Sequence, residues 1–301
     1  MRIVRSLDHY EAAADLLLSI GLFDGVHIGH RAVLSRLTSA RAPGQLAAAF
    51  TFERHPQEYF HPGQGPKCLT TMEQKVNLLA GCALDLLFLL PFDERMQTTP
   101  AQTFLEEILL ERLRTKMLIV GENWRFGQGR QGDVYLAERL LAAHHCAFEA
   151  APLLERDGEK VSSTRIRSLV EEHDFRKADA LLGSAYEVRG IVVTGEGRGQ
   201  LLGYPTANLS IAPEKLIPTP GVYACRARRD GKDYDAVTSI GDNPTFNGKA
   251  LTVECHLLHF SGSIYGEQLS LTEWRFLREQ KRFKNAEELI AQMTLDVQTA
   301  S

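Results

Sequence analysis

The chain is predicted to combine an α/β half built on a parallel sheet with an all-β half that closes into an antiparallel barrel and ends in a helix. Three observations carry this. From Ile3 to about Leu182, short apolar runs alternate with helically spaced segments; beyond Gly183-Ser184 the runs are strand-like and separated by Gly, Pro, Asn and Asp turns. The 301 residues also suffice for about two domains of ordinary size. Strands alternating with helices imply a parallel sheet covered on both faces. Evenly spaced short strands imply a sandwich or barrel.

In chain order, Leu16-Leu17-Leu18-Ser19-Ile20 is an apolar run before a glycine-bearing turn and a helix. Residues 47–52, 86–90 and 117–120 read as strands, and 32–37, 73–79 and 103–110 show helical spacing. Ser162-Ser163-Thr164 places hydroxyls at the start of a helix through Val170. The second half offers strands at 187–194, 222–228, 234–240, 251–260 and 268–276. A last amphipathic helix spans about 285–297, with Ala286, Leu289, Ile290, Met293 and Val297 on one stripe. The expected domains are 1–183 and 184–301.

Composition excludes several classes of function. Lys+Arg number 34 against 38 Asp+Glu, a net charge of −4 with no block of five like charges, so no nucleic-acid or anionic-membrane partner is expected. The apolar run at 84–91 falls far short of the roughly 20 residues that span a bilayer. The start, Met1-Arg2-Ile3-Val4-Arg5, leads to no signal-peptide pattern. The five cysteines contain no C-x-x-C pair, so a reducing cytoplasm is the expected compartment. His144-His145-Cys146 cannot converge on one ion from adjacent helical positions and reads as surface plus core. Nothing in the pattern specifies an oligomeric state.

The first chemical constellation is Gly21-Leu22-Phe23-Asp24-Gly25-Val26-His27-Ile28-Gly29-His30. A strand–turn–helix with glycines in the turn lets a phosphate meet free N–H groups and the positive end of the helix dipole. His27 and His30, three apart, reach the same anion from the first helical turn. The Ser162-Ser163-Thr164 helix start, followed by Arg165 and Arg167, has hydroxyls and guanidinium forks able to hold a polyphosphate.

The second is Gly195-Glu196-Gly197-Arg198-Gly199-Gln200-Leu201-Leu202-Gly203-Tyr204-Pro205-Thr206-Ala207-Asn208. It is neither a Walker loop, since no Gly-Lys-Ser/Thr follows, nor a Rossmann turn. On a strand, Thr206 and Asn208 share a face, giving two neutral oxygens that suit a magnesium ion already ligated by nucleotide phosphates.

The first turn resembles the nucleotidyltransferase H-x-G-H signature, and its longer form resembles the FMN adenylyltransferase module of prokaryotic bifunctional riboflavin kinase/FAD synthetases. Thr51-Phe52-Glu53-Arg54-His55-Pro56, residues 120–133 and Val161-Ser162-Ser163-Thr164-Arg165-Ile166-Arg167 agree with that family. The second segment is similar to the riboflavin kinase signature G-x-x-x-G-R-x-L-G-F-P-T-A-N, with Gly199-Gln200 lengthening the middle and Tyr204 in place of Phe. The likeness continues through Pro220-Gly221-Val222-Tyr223, Ile240-Gly241-Asp242-Asn243-Pro244-Thr245, Val253-Glu254-Cys255-His256 and Phe276-Leu277-Arg278-Glu279. Arg54 stands where the family commonly has Pro, and Asn123-Trp124 where it has Asp-Phe or Asn-Phe; a flat ring is kept at Trp124.

The resemblance implies a nucleotidyltransferase-like parallel α/β domain and a riboflavin-kinase-like barrel. It implies phosphorylation of riboflavin to FMN by ATP, then attack of an FMN phosphate oxygen on the α-phosphorus of a second ATP, giving FAD and pyrophosphate. By resemblance, His27, His30 and Arg167, with magnesium, neutralise charge in the second reaction, and Glu254 is the general base of the first. ATP and its phosphates are assigned to Gly21, Phe23, Asp24, Gly25, Gly29, Ser162, Ser163 and Thr164, and to Gly197, Arg198, Gly203, Thr206 and Asn208. Flavin is assigned to Phe52, His55, Asn123, Trp124, Arg125, Phe126 and Arg278, and metal to Thr206 and Asn208. A kinase with an impaired first module and a flavin-binding regulator without turnover are the alternatives. Intact His27, His30 and Arg167 argue against the former, and Glu254 against the latter.

Overall fold

A computed structural model describes residues 1–195, 199, 202–245 and 248–300. The chain packs as two compact units, Met1–Ser163 and Thr164–Ser301.

The first unit holds six parallel strands, β1 (Arg2–Val4), β2 (Leu16–Ile20), β3 (Leu46–Phe52), β4 (Leu86–Leu90), β5 (Thr115–Gly121) and β6 (Ala147–Ala151), in the order β1-β4-β3-β2-β5-β6. Every residue of β2 and of β4 is buried, which explains why these strands read as unbroken apolar runs. Alternation sends successive residues to opposite faces. Leu16, Leu18, Phe50, Phe88 and Leu90 enter one core cluster, and Leu17, Ala47, Ala49, Leu87 and Leu89 the other. Helices α1 (Ile28–Ser39), α2 (Pro56–Phe60), α3 (Met72–Ala80), α4 (Glu94–Thr98), α5 (Ala101–Thr103) and α6 (Val134–Ala143) connect them. Leu34 and Leu37 of α1 and Leu79 of α3 cover the second face. A capping box between Thr71 and Gln74 starts α3. After α5 the helix widens to π spacing over Phe104–Arg112, closed by Leu113 N–H on Ile108 O at 3.0 Å. A small hairpin follows, β7 (Glu155–Arg156) with β8 (Glu159–Lys160).

Connections from β2 run outward one way through β3 and β4, while β5 lies on the other side of β2. The sheet therefore switches direction beside β2, and its carboxyl ends form the crevice where open α/β sheets bind ligands. The segments at 21–30, 52–56 and 121–126 all leave from these carboxyl ends.

Helices α7 (Ser163–Glu171) and α8 (Phe175–Leu182) lead into the barrel strands β9 (Val188–Val193), β10 (Ala207–Ile211), β11 (Gly221–Arg229), β12 (Lys232–Thr245), β13 (Gly248–Leu257) and β14 (Gln268–Arg278). The ring closes β10-β13-β12-β11-β14-β9, with every pairing antiparallel. Whereas the sequence reading counts residues to 183 with the first domain, α8 packs in the second unit. Phe175 lies against Tyr223 and Trp274, and His173 stacks on Phe276 at 4.0 Å. The strand expected to reach 260 ends at Leu257, because Leu258 N–H turns to Asp235 O and His259 adopts φ 57°. The terminal helix α9 runs over Ala286–Ala300, and its Asp296 is buried. No helix among the described residues is long and apolar enough to cross a membrane.

Candidate functional site

In the first unit the turn after β2 is tightly wound. Phe23 (φ 50°), Gly25 (φ 79°) and Val26 (φ 40°) all occupy the left-handed region, which costs a β-branched residue most. Buried Asp24 compensates. Its Oδ1 accepts from Thr70 N–H at 3.2 Å, and its carbonyl accepts from Ser163 Oγ at 2.9 Å. Gly25 N–H donates to Thr70 Oγ1 at 3.2 Å. The Asp24 side chain is thus turned into the fold, toward Thr70.

His27 caps α1, its Nδ1 accepting the His30 amide at 3.3 Å, so the ring's proton resides on Nε2 as a donor. The two imidazoles stack with centroids 3.6 Å apart. Gly29 makes room for this, since a Cβ there would stand 3.2 Å from His27 Nδ1. Burial pulls His27 down to about 4, and pulls His30 well below the ordinary histidine value with help from His27 and Lys75. Both rings are neutral at pH 7. An uncharged imidazole can still donate one hydrogen bond to a phosphate. His30 Nδ1 and Arg31 Nε are sealed from solvent without a partner among the described residues. Arg31 Nε is a donor, and His30 Nδ1 is a donor or an acceptor according to the tautomer; unpaired polar atoms at a helix start suit an anion.

Two contributors here carry no motif in sequence. Thr70 braces the turn, and half-buried Lys75 donates to Leu22 O at 3.2 Å and Phe52 O at 3.4 Å, tying the β2 turn to the end of β3. Burial lowers the Lys75 amine, against the pull of Asp24. The capping box at Thr71 and Gln74 was the available signal, because it places residue 75 in the first turn of α3.

At the ends of β3 and β5 lie the residues expected to hold flavin. Phe52 meets Phe92 edge to face at 5.1 Å, and Phe92 meets the exposed rings of Tyr59 and Phe60. His55 caps α2. Trp124 stacks on buried Phe126 at 4.1 Å, so Phe126 is floor and Trp124 is face. Asn123 and Arg125 are exposed beside them. Gly132 permits the stack, because a Cβ there would fall 2.7 Å from the Phe126 ring. Phe92, Tyr59 and Phe60 were missed, since only the sheet brings them to Phe52. Elsewhere in this unit a cavity of about 640 Å³ lies between the segment after β1 and the π-helical stretch, lined by none of the residues read from sequence.

Ser162 and Ser163 precede and open α7. In the second unit, Arg167 Nη2 donates to Thr164 Oγ1 at 3.2 Å.

The second unit carries two cavities that share Thr206. One, of about 360 Å³, is lined by Tyr204, Thr206, Glu254, His256 and Arg278 and by Leu289, Met293 and Val297 of α9. The other, of about 460 Å³, is lined by Pro205, Thr206, Ala207 and the loop from Leu257 to Tyr265. Thr206 Oγ1 donates to Glu254 Oε2 at 3.2 Å, and Asn208 is the register partner of Glu254. Thr206 and Glu254 therefore meet at the wall of the first cavity, and Asn208 lies beside Glu254 in the strand register. Gly203 turns the chain ahead of them with φ 83°. Gly197 and Arg198 lie outside the described residues. Arg278, expected at flavin, is committed to buried Asp296 of α9 through Nε and Nη2, at 2.9 and 2.7 Å. His256 and Ile264-Tyr265 belong to segments that carry the family likeness but have no site role assigned from sequence, and Ser261-Gly262-Ser263 carry no signal at all.

Comparisons agree with both halves. A family model described as FAD synthetase matches residues 9–165, and one described as riboflavin kinase matches 182–301. Bifunctional riboflavin kinase/FMN adenylyltransferase of Escherichia coli K12 is 33% identical over 304 residues, covering 100% of this chain and 97% of the relative. That of Haemophilus influenzae is 31% identical, covering 100% and 98%. Among solved structures, a Streptococcus pneumoniae protein described as a macrolide-efflux protein superposes with TM-score 0.88 at 26% identity, covering 99% of this chain and 97% of that one.

Proposed function

Because the chain belongs to the bifunctional riboflavin kinase/FMN adenylyltransferase family, we propose a specific assignment of its two reactions to the two sites above. The protein phosphorylates riboflavin to FMN and adenylylates FMN to FAD, with ATP as co-substrate in both.

The observation that carries the kinase assignment is that two cavities share Thr206, whose hydroxyl is bonded to Glu254 in the wall of one of them. Riboflavin occupies the cavity walled by α9, and ATP the cavity beside the 257–265 loop. Glu254 takes the proton of the ribityl hydroxyl as the hydroxyl oxygen attacks the terminal phosphorus of ATP, and the bond to the bridging oxygen breaks to release ADP. Thr206 and Asn208 present neutral hard oxygens, which fit magnesium already ligated by nucleotide phosphates. Bound there, the ion would offset charge on the transferring phosphoryl group. Gly197, Arg198 and Gly203 belong to the nucleotide side of the same proposal.

For adenylylation, the neutral His27 and His30 donate hydrogen bonds to the ATP phosphates while α1 adds its positive end. Gly21, Phe23, Gly25 and Gly29 shape the turn that presents these donors, and Ser162, Ser163 and Thr164 line the start of α7. Arg167, assigned to this reaction by sequence resemblance, supplies full positive charge. Flavin lies on Trp124 and Phe52, with His55, Asn123 and Arg125 at the rim. We place the functional boundary at Gly183, so that the start of α7 counts with adenylylation. The family's chemistry, which draws on ATP, and five free thiols support a cytoplasmic location.

One assay tests the kinase assignment. Riboflavin, ATP and magnesium are incubated with Glu254→Gln, and FMN and FAD are resolved by chromatography. FMN formation should fall about 10²–10⁴-fold, while supplied FMN is still converted to FAD. FMN formation within a few-fold of the parent would remove Glu254 from the role of base.

A further inference from the structure

Tyr204 and His256 line the riboflavin cavity, and phosphoryl transfer as assigned above uses neither. Both are tied into hydrogen bonds, His256 to the backbone beside Thr206 and Tyr204 to α9. His256 Nδ1 lies 2.8 Å from Pro205 O. A carbonyl only accepts, so Nδ1 carries the proton and the ring holds the backbone immediately before Thr206. The Tyr204 ring meets His256 edge to face at 5.5 Å. Its hydroxyl lies 2.8 Å from Thr294 Oγ1 in α9. Thr294 already donates its own proton to Ile290 O at 2.8 Å, so Tyr204 is the donor to Thr294.

These contacts form one path. It runs from Thr294 in the helix that walls the cavity, through Tyr204, His256 and Pro205, to Thr206 and its bond with Glu254. The helix is also held by Arg278 on Asp296 and by Arg275 Nη2 on Thr299 O. Those bonds fix α9 to β14, whereas the Tyr204 hydroxyl links it to the segment that carries Thr206. Tyr stands where the family signature has Phe, so the hydroxyl that completes the path is a feature of this chain.

We propose that Tyr204 and His256 are positioning residues, coupling the seating of α9 over riboflavin to the placement of Thr206 against Glu254. A flavin that lets the helix seat thereby also sets the base. A ligand that holds the helix off leaves the Thr206–Glu254 pair loose.

The test uses the full chain and steady-state FMN formation. Tyr204→Phe and Thr294→Val each remove one end of the same hydrogen bond, so each should raise KM for riboflavin about 2–10-fold, the size of one lost bond. The double variant should be no worse than either single one. His256→Ala should lower kcat, and His256→Gln, whose amide can still donate to Pro205 O, should recover most of it. Conversion of supplied FMN to FAD, measured in every variant, should stay at the parent value and so controls for folding. A parental KM in Tyr204→Phe, additive effects in the double variant, or no recovery with Gln would overturn the coupling. The proposal rests on Glu254 as the base. That reading fails separately, on the kcat of Glu254→Gln, without changing what the Tyr204 and Thr294 variants report.

Discussion

His27 surrenders its Nδ1 lone pair to the amide of His30, and burial holds its ring uncharged down to a pKa of about 4. The unfolded chain returns this histidine to about 6.5. Between these values the unfolded state binds the extra proton, so stability rises with pH across that window. The contribution is complete above about 6.5 and is lost as pH falls toward 4. By linkage, His27 alone removes about 2 kcal/mol between pH 7.5 and pH 5. His27→Asn keeps an oxygen to cap α1 but cannot titrate. Its urea-unfolding free energy should therefore drop less between the two pH values than the parent's does, and equal drops would show that His27 does not titrate in this way.

Among the elements, the loop after β5 depends on one close approach. Gly127 has φ 72°, and a Cβ there would stand 2.5 Å from the Cα of Ala101, at the start of α5. Gly127→Ala combines left-handed strain with a backbone clash, at a cost of about 2–4 kcal/mol. Denaturant unfolding should show this loss, and FAD formation should fall with it as Trp124 and Phe126 shift. FMN formation should persist, and unchanged unfolding would mean that the loop relaxes freely. The sheet itself was legible in sequence because burial on both faces writes runs such as Leu86–Leu90, and the His27/His30 turn because glycines and imidazoles coincide within ten residues. Lys75 and His256 were not legible as site residues. Their partners, Leu22 O and Pro205 O, stand 53 and 51 residues away and meet them only in the folded chain, where α3 packs by the β2 turn and β13 pairs with β10. The neutrality of His27 was hidden for a related reason, since burial is a property of the fold and not of the motif.

For the whole molecule, a net charge of −4 leaves phosphate recognition to helix starts, buried donors and single guanidinium groups. Placing the two reactions on separate side-chain sets makes them separable by mutation. A His27→Ala/His30→Ala double variant should make FMN but no FAD from riboflavin, and Glu254→Gln little of either. Mixed together they should restore FAD, because FMN released by the first is substrate for the second; a mixture that makes none would mean that FMN does not pass through solution. The closed barrel also bears on how such a chain is made. While the ribosome is still delivering the second half, the finished sheet exposes β1 and β6 as open borders, with unpaired amides and carbonyls that invite further strands. A ring in which β9 pairs back onto β10 leaves no strand to spare, so once it closes the second half can no longer lend a strand to those borders.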